Sequence, residues 1–348
     1  MRLAERVNLD FGDLDRDMAF LRQLGVTDLG VMIKEWETKY GATPQWQESP
    51  GSGLRHSPYF EVADLKALKD WVEEYGFRLY SIMGLNFSKG PQLRPGTPGY
   101  REAIDNVKRS ITNMGEVGIQ QYAGGSRGFA GPAITSPFGL SHWRTSEVKG
   151  RGGAKMVGYE DRLAQAVEPE KIAPIAEEDV WQDTQAFLAE ITPVAEAAGV
   201  MLSHHPADPP VPSLRGVAKI LKSAEDFDRL FEMSPSPANK MIFCLGCFSQ
   251  LYEPSKVYDA IRHFKDRIAE IHFRNVQGDM SDFTEVYPDE GKLDMVAVLR
   301  TLKEVGYTGP VVIDHTPHGT DDTVYGHRGR AFAFGYLRGI LQAIGASD

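Results

Sequence analysis

Gly199-Val-Met-Leu-Ser-His-His205 is a short apolar run that closes on a metal-capable side chain, and the sequence repeats the device three times. Lys240-Met-Ile-Phe-Cys244, Ile268-Ala-Glu-Ile-His272 and Pro310-Val-Val-Ile-Asp314 end on a thiol, an imidazole and a carboxylate. The closing residues stand 39, 28 and 42 positions apart, the length of a strand, a loop and a helix. That spacing places them at the C-terminal ends of consecutive parallel strands, the edge where barrel enzymes assemble their chemistry. One histidine at a strand end is normally a hydrogen-bonded core residue, and one buried cysteine is normally packing. Four suitable side chains ending four successive strands point instead to a single borderline-soft divalent-metal site made of His205, Cys244, His272 and Asp314.

Outward from these runs, strand-like and helix-like stretches alternate from end to end. Leu3 to Leu9, Leu29 to Ile33, Arg78 to Met83 and Ile119 to Ala123 read as the first four strands. Between them lie helical stripes such as Leu65, Leu68, Val72, Tyr75 and Ile104, Val107, Ile111, Met114. Trp181, Thr184, Leu188, Ile191 and Ala195 make the stripe that precedes the fifth strand. Further helices are expected near residues 224–231, 254–264, 293–305 and 328–343. Eight strands and eight helices in alternation, with no linker, predict a single (β/α)8 barrel over residues 1–348. The rival, an open doubly wound sheet, lacks its GxGxxG loop after the first strand. Gly124-Gly-Ser-Arg-Gly128 does not lead into a clear helix and is a weak phosphate cradle. Residues 124–174 read as a long loop insertion after strand four, and such loops are usually functional or mobile.

Composition narrows the function. With 348 residues and 42% hydrophobic content the chain can bury a large core, and its formal net charge of −10 with no Lys/Arg cluster argues against nucleic acid. No run reaches the roughly 18 apolar residues of a membrane span, and the first residues lack a secretory apolar stretch. A cytoplasmic enzyme is expected, and a homo-oligomer is compatible with the acidic surface. The two cysteines, Cys244 and Cys247, exclude a disulfide framework. A redox CxxC or a zinc knuckle would need a thioredoxin-like unit or a second ligand pair, and neither is present.

Arg274 and Asn275 follow His272 directly and are candidates to bind a substrate carboxylate and hydroxyl, with surface capping the alternative. His204 adjoins the first ligand and counts as a further substrate contact. Arg127, Arg144 and Arg151 of the long segment are candidate positive charges over the mouth, and His142 and Trp143 a candidate sugar-facing wall.

The strings His205-Pro-Ala-Asp-Pro-Pro210, Cys244-Leu-Gly-Cys247, His272-Phe-Arg-Asn-Val276 and Asp314-His315 resemble the mannonate dehydratases of hexuronate breakdown. Phe283-Thr-Glu285, Gly291-Lys-Leu-Asp-Met295 and Gly335-Tyr-Leu-Arg-Gly339 extend the likeness; the first half carries it more faintly. The resemblance implies a xylose-isomerase-like TIM barrel in which the histidine, cysteine, histidine and aspartate bind manganese or ferrous iron. It also implies a metal-dependent hydro-lyase that converts D-mannonate to 2-keto-3-deoxy-D-gluconate and water. By the same resemblance the acid/base residues lie near the last ligand: His315 and Tyr325, with Asp314 beside them and His327 a rival for the tyrosine's place. The chain departs from the family at Val312-Ile313, where an Arg-Pro is usual, and at Pro288, where many members carry a histidine. Two rival readings remain: a sugar isomerase or epimerase on the same barrel, and a catalytically silent protein that binds a sugar acid.

Overall fold

The computed structural model of the protein describes residues 1–8, 13–32, 57–83, 94–123, 144–166, 175–214 and 217–346. Its strands in chain order are β1 Arg2–Asn8, β2 Asp28–Met32, β3 Arg78–Met83, β4 Gln121–Ala123, β5 Ser146–Lys149, β6 Lys155–Glu160 and β7 Met201–His204. They continue as β8 Ser213–Leu214, β9 Val217–Ala218, β10 Asn239–Cys244, β11 Ile268–His272, β12 Asn275–Gly278, β13 Asp282–Val286 and β14 Pro310–Val312. The helices are α1 Leu14–Gln23, α2 Val62–Glu74, α3 Tyr100–Val117, α4 Asp161–Gln165, α5 Glu177–Ala198, α6 Ala224–Met233, α7 Leu245–Leu251, α8 Pro254–His263, α9 Met295–Glu304 and α10 His327–Ala343.

Eight parallel strands close into a barrel in the order β1-β14-β11-β10-β7-β4-β3-β2. This is the expected (β/α)8 TIM barrel. The helical stripes become its outer layer for the reason the pattern suggested, because one apolar face of each helix packs on the outside of the sheet. In α5, Trp181, Thr184, Leu188, Ile191 and Ala195 are all buried. Three acidic residues in its first turn favour the helix dipole, and Gly199 at φ 68° ends it. In α9 the Asp294 carboxylate caps the backbone N–H groups of Val296 and Ala297. No helix among the described residues is long and apolar enough to cross a membrane.

The reading of residues 124–174 as an irregular insertion is corrected for its described part. β5 and β6 form an antiparallel hairpin, and β6 pairs with β13 in a four-stranded sheet ordered β12-β13-β6-β5. Its strands are short and polar on one face, and the β6–β13 pairing joins residues far apart in sequence, so no local periodicity reveals it. Tyr159, Ala164, Val211, Leu214, Val276 and Phe283 give this sheet a small core of its own. Since β12 begins three residues after His272, the sheet stands at the C-terminal mouth of the barrel and carries Arg144 and Glu285 there.

Candidate metal centre and acid/base cluster

The four expected ligands come from β7, β10, β11 and β14, which are neighbours in the barrel. Register aligns Cys244 with His272, and His272 with Val312, two residues before Asp314. His205 Nε2 lies 3.2 Å from His272 Nδ1, which is 3.3 Å from Asp314 Oδ2. Donor atoms of Cys244, His272 and Asp314 all fall within 4.8 Å of one another. Asp314 adopts φ 65°, a left-handed conformation that aspartate tolerates better than most residues and that turns its carboxylate into the mouth.

Hydrogen bonding fixes what these atoms offer. His205 Nδ1 is 2.7 Å from the Pro206 carbonyl, which can only accept, so the proton sits on Nδ1 and the Nε2 lone pair faces His272. His272 Nε2 donates to Glu270 Oε1 at 2.9 Å, which leaves Nδ1 on the His205 side. Asp314 Oδ2 is buried without a well-formed hydrogen bond, its charged neighbours being His272 Nδ1 at 3.3 Å and Arg274 Nη1 at 3.7 Å. Acceptors that face one another in this way repel unless a cation or proton lies between them. Burial disfavours the His272 imidazolium, but the Asp314 carboxylate outweighs it and raises the pKa to about 10, so a proton takes that place when no metal does. Burial would raise the Cys244 thiol too; hydrogen bonding from Cys247, the Arg274 charge and both imidazoles hold it well below the usual thiol range. The residues fit a divalent cation.

Beside the four donors lies a buried charge cluster. Arg144 and Arg274, both almost wholly inaccessible, share the Asp208 and Glu285 carboxylates. Arg274 Nη1 is 2.8 Å from Asp208 Oδ2 and 3.1 Å from Glu285 Oε1. His315 Nδ1 donates to Glu285 Oε1 at 2.8 Å, and its Nε2 is 3.6 Å from Asp314 Oδ1. Burial lowers the His315 pKa, while Asp314 and Glu285 more than reverse the effect and favour the imidazolium. Asp208 and Glu285 were present in the quoted motifs without a role; the arginines that give them one arrive from elsewhere in the chain.

Other expected site residues are placed differently. Asn275 does not face the mouth: its Nδ2 donates to the carbonyls of Pro288 and Leu293, and its Oδ1 accepts from the N–H groups of Val276 and Leu293. It fastens the loop before α9, and a Cβ on Gly291 would meet its side chain at 2.1 Å. His204 pairs in register with Met241, one residue out of phase with inward-facing Ile242 and Cys244, so it points to the helix layer beside Asn239. Burial lowers its pKa to about 4 against the pull of Asn239. Of the arginines in the long segment, Arg144 joins the cluster, whereas Arg151 pairs on the surface with Asp289. Arg127, His142 and Trp143 lie outside the described residues.

Tyr325 sits before α10 on the β1 side, with Arg330 4.6 Å over its ring and Phe20 and His327 at its edges. Its buried hydroxyl has no hydrogen-bond partner, and burial raises its pKa, so it remains a phenol. His327 Nε2 faces Asp17 of α1 at 3.0 Å. Neither residue is hydrogen-bonded to the four donors.

A closed (β/α)8 barrel with nitrogen, sulfur and oxygen donors gathered at its mouth defines the class as a barrel with a candidate metal centre. The chain belongs to the D-mannonate dehydratase (UxuA) family, whose family model matches residues 146–348. Mannonate dehydratase of Oceanobacillus iheyensis is 27% identical over 315 residues, covering 82% of this chain and 86% of that protein. The crystal structure of mannonate dehydratase from Streptococcus suis serotype 2 superposes with a TM-score of 0.79 at 23% identity, covering 100% of this chain and 95% of that one. D-psicose 3-epimerase of Clostridium cellulolyticum H10 shares the fold at a TM-score of 0.61 and 12% identity, covering 98% and 99% of the two chains.

Proposed function

We propose that the protein is a metal-dependent hydro-lyase that removes water from D-mannonate to give 2-keto-3-deoxy-D-gluconate. The observation that carries this reading is the convergence of His205, Cys244, His272 and Asp314 beside an arginine- and histidine-lined cluster, in a chain of the D-mannonate dehydratase family. Manganese or ferrous iron is the proposed cation. When bound, it supplies Lewis-acid stabilisation of the negative charge that builds on the substrate carboxylate as C2 loses its proton.

Charge balance supports an anionic substrate. The Arg144 and Arg274 guanidiniums are answered by Asp208 and Glu285. The Cys244 thiolate and the Asp314 carboxylate are left to neutralise a divalent cation, and the His315 imidazolium is then the surplus positive group for a sugar acid. The C3 hydroxyl leaves only if protonated, because hydroxide is a poor leaving group. His315 is assigned that step: Glu285 holds its Nδ1–H, and Nε2 is on the Asp314 side, where it can carry the transferable proton. Tyr325 is the proposed partner of His315 in acid/base chemistry, and since burial keeps it a phenol it can serve only as a proton donor. His315, neutral once it has protonated the departing hydroxyl, takes up the C2 proton; the enol that remains becomes the 2-keto product by gaining a proton at C3 and releasing its hydroxyl proton to solvent.

The test is to incubate purified protein with D-mannonate and manganese and to follow the products by NMR. A 2-keto-3-deoxy acid is expected. In parallel incubations with aldose and ketose sugars, interconversion of these with no 2-keto-3-deoxy acid from D-mannonate would establish an isomerase, and tight binding of D-mannonate without turnover would establish a silent binding protein.

A further inference from the structure

Cys247 has no part in the reaction described above, yet it lies inside the pocket. It occupies the first turn of α7, three residues after Cys244, and is wholly buried. Its sulfur, the Cys244 sulfur and a ring nitrogen of His205 all lie within 4.8 Å of one another. Arg274 Nη2 donates to Cys247 Sγ at 3.4 Å, so the sulfur is already held beside a positive charge and turned into the cluster. Two donor triads therefore meet at Cys244, one with His272 and Asp314 and the other with His205 and Cys247.

We infer that the pocket contains two overlapping donor sets, and that the one formed by His205, Cys244 and Cys247 takes a thiophilic divalent cation, zinc or cadmium, in competition with the catalytic ion. Softness is the reason. Replacing the Asp314 oxygen by a second sulfur moves the set from one that admits manganese or ferrous iron towards one that selects zinc-like ions. Both sets use Cys244, so a cation drawn to Cys247 is drawn off Asp314. This inference rests on reading the pocket as a metal site.

The experiment uses metal-free protein kept reduced with a phosphine. Cobalt(II) is added first, because the near-ultraviolet sulfur-to-cobalt charge-transfer band grows with the number of bound thiolates. Wild type is expected to give a band about twice as strong as Cys247→Ser, one thiolate being lost from two. Zinc and manganese affinities are then measured by equilibrium dialysis with elemental analysis. The zinc-to-manganese affinity ratio is expected to fall in Cys247→Ser by more than the roughly 10–100-fold that losing an outer-shell partner costs.

A wild-type band of one-thiolate strength, with the same affinity ratio in both proteins, overturns the second donor set and leaves the catalytic site standing. Failure of wild type to bind cobalt, zinc or manganese at all overturns the metal reading and this inference with it. The wild-type band is decisive by itself, so misfolding of the variant would not leave the question open.

Discussion

Two polar regions of the barrel, one turn of strand apart, differ in a single respect. In the interior, Glu270 is inaccessible to solvent but has a donor for each lone-pair direction: Arg6 from β1, Tyr80 from β3 at 2.9 Å, Gln121 from β4 at 2.9 Å and His272 from its own strand at 2.9 Å. Burial raises its pKa, but Arg6 and His272 outweigh that and hold it at about 2, so the carboxylate stays charged. At the mouth the balance is reversed: the His205 Nε2, His272 Nδ1 and Asp314 Oδ2 lone pairs converge, and only an added proton or cation can lie between them. Buried polar atoms are almost always satisfied. A fully satisfied group in a barrel is therefore architecture, and a convergent unsatisfied set is a place built for a ligand.

The sharpest way to break this contrast is Asp314→Asn. Asparagine tolerates the left-handed backbone at this position, so the fold is expected to persist while the anionic oxygen is lost. Manganese binding by dialysis should weaken severely, and kcat should fall by about 10²–10⁴-fold or more. His315→Asn is expected to lower kcat within about the same 10²–10⁴-fold range while manganese still binds, which separates proton transfer from metal binding. Retention of normal turnover by Asp314→Asn would remove the carboxylate from the site.

Glu270→Gln tests the other side of the comparison. It leaves Arg6 buried without its carboxylate, which typically costs about 3–5 kcal/mol in denaturant unfolding. The same change disturbs the bond that fixes the His272 tautomer, so manganese affinity should fall about 10–100-fold. A stability loss with unchanged metal affinity would show that Glu270 supports the barrel without orienting the ligand.

Much of this was legible in the sequence because barrel strands and helices declare themselves by short apolar runs and by one-sided stripes. The four candidate donors that the barrel brings together were legible for the same reason, since each closes such a run. What was not legible depended on parity or on distant partners. His204 and His205 are adjacent and chemically identical, and only the register of β7 against β10 decides which one faces inward. Asn275 has an amide suited equally to a sugar hydroxyl or to a backbone, and the loop that claims it follows some 13 to 18 residues later. Asp208 and Glu285 become functional candidates only when β5, β6 and β13 pair and bring Arg144 to them.

Asn275→Ala should therefore behave as a structural change. It orphans the Pro288 and Leu293 carbonyls and the Leu293 N–H, at about 1–3 kcal/mol for a buried group left unpaired. Its effect on KM and kcat should track the loss of stability, and lower temperature should restore activity. A large rise in KM at full stability would return Asn275 to the substrate.

His204→Leu is expected to have the smallest effect. The ring lies among the packed side chains between sheet and helices and is neutral at ordinary pH, so an apolar residue of similar bulk meets no lost charge. Stability should change by less than about 1.5 kcal/mol, and manganese affinity and kcat should stay at the wild-type level. The contrast with His205→Leu is the informative part: the neighbouring residue, one position on and facing the other way, should lose the metal. If both variants lost it equally, the inward-outward alternation that assigns every ligand at this mouth would be wrong for β7.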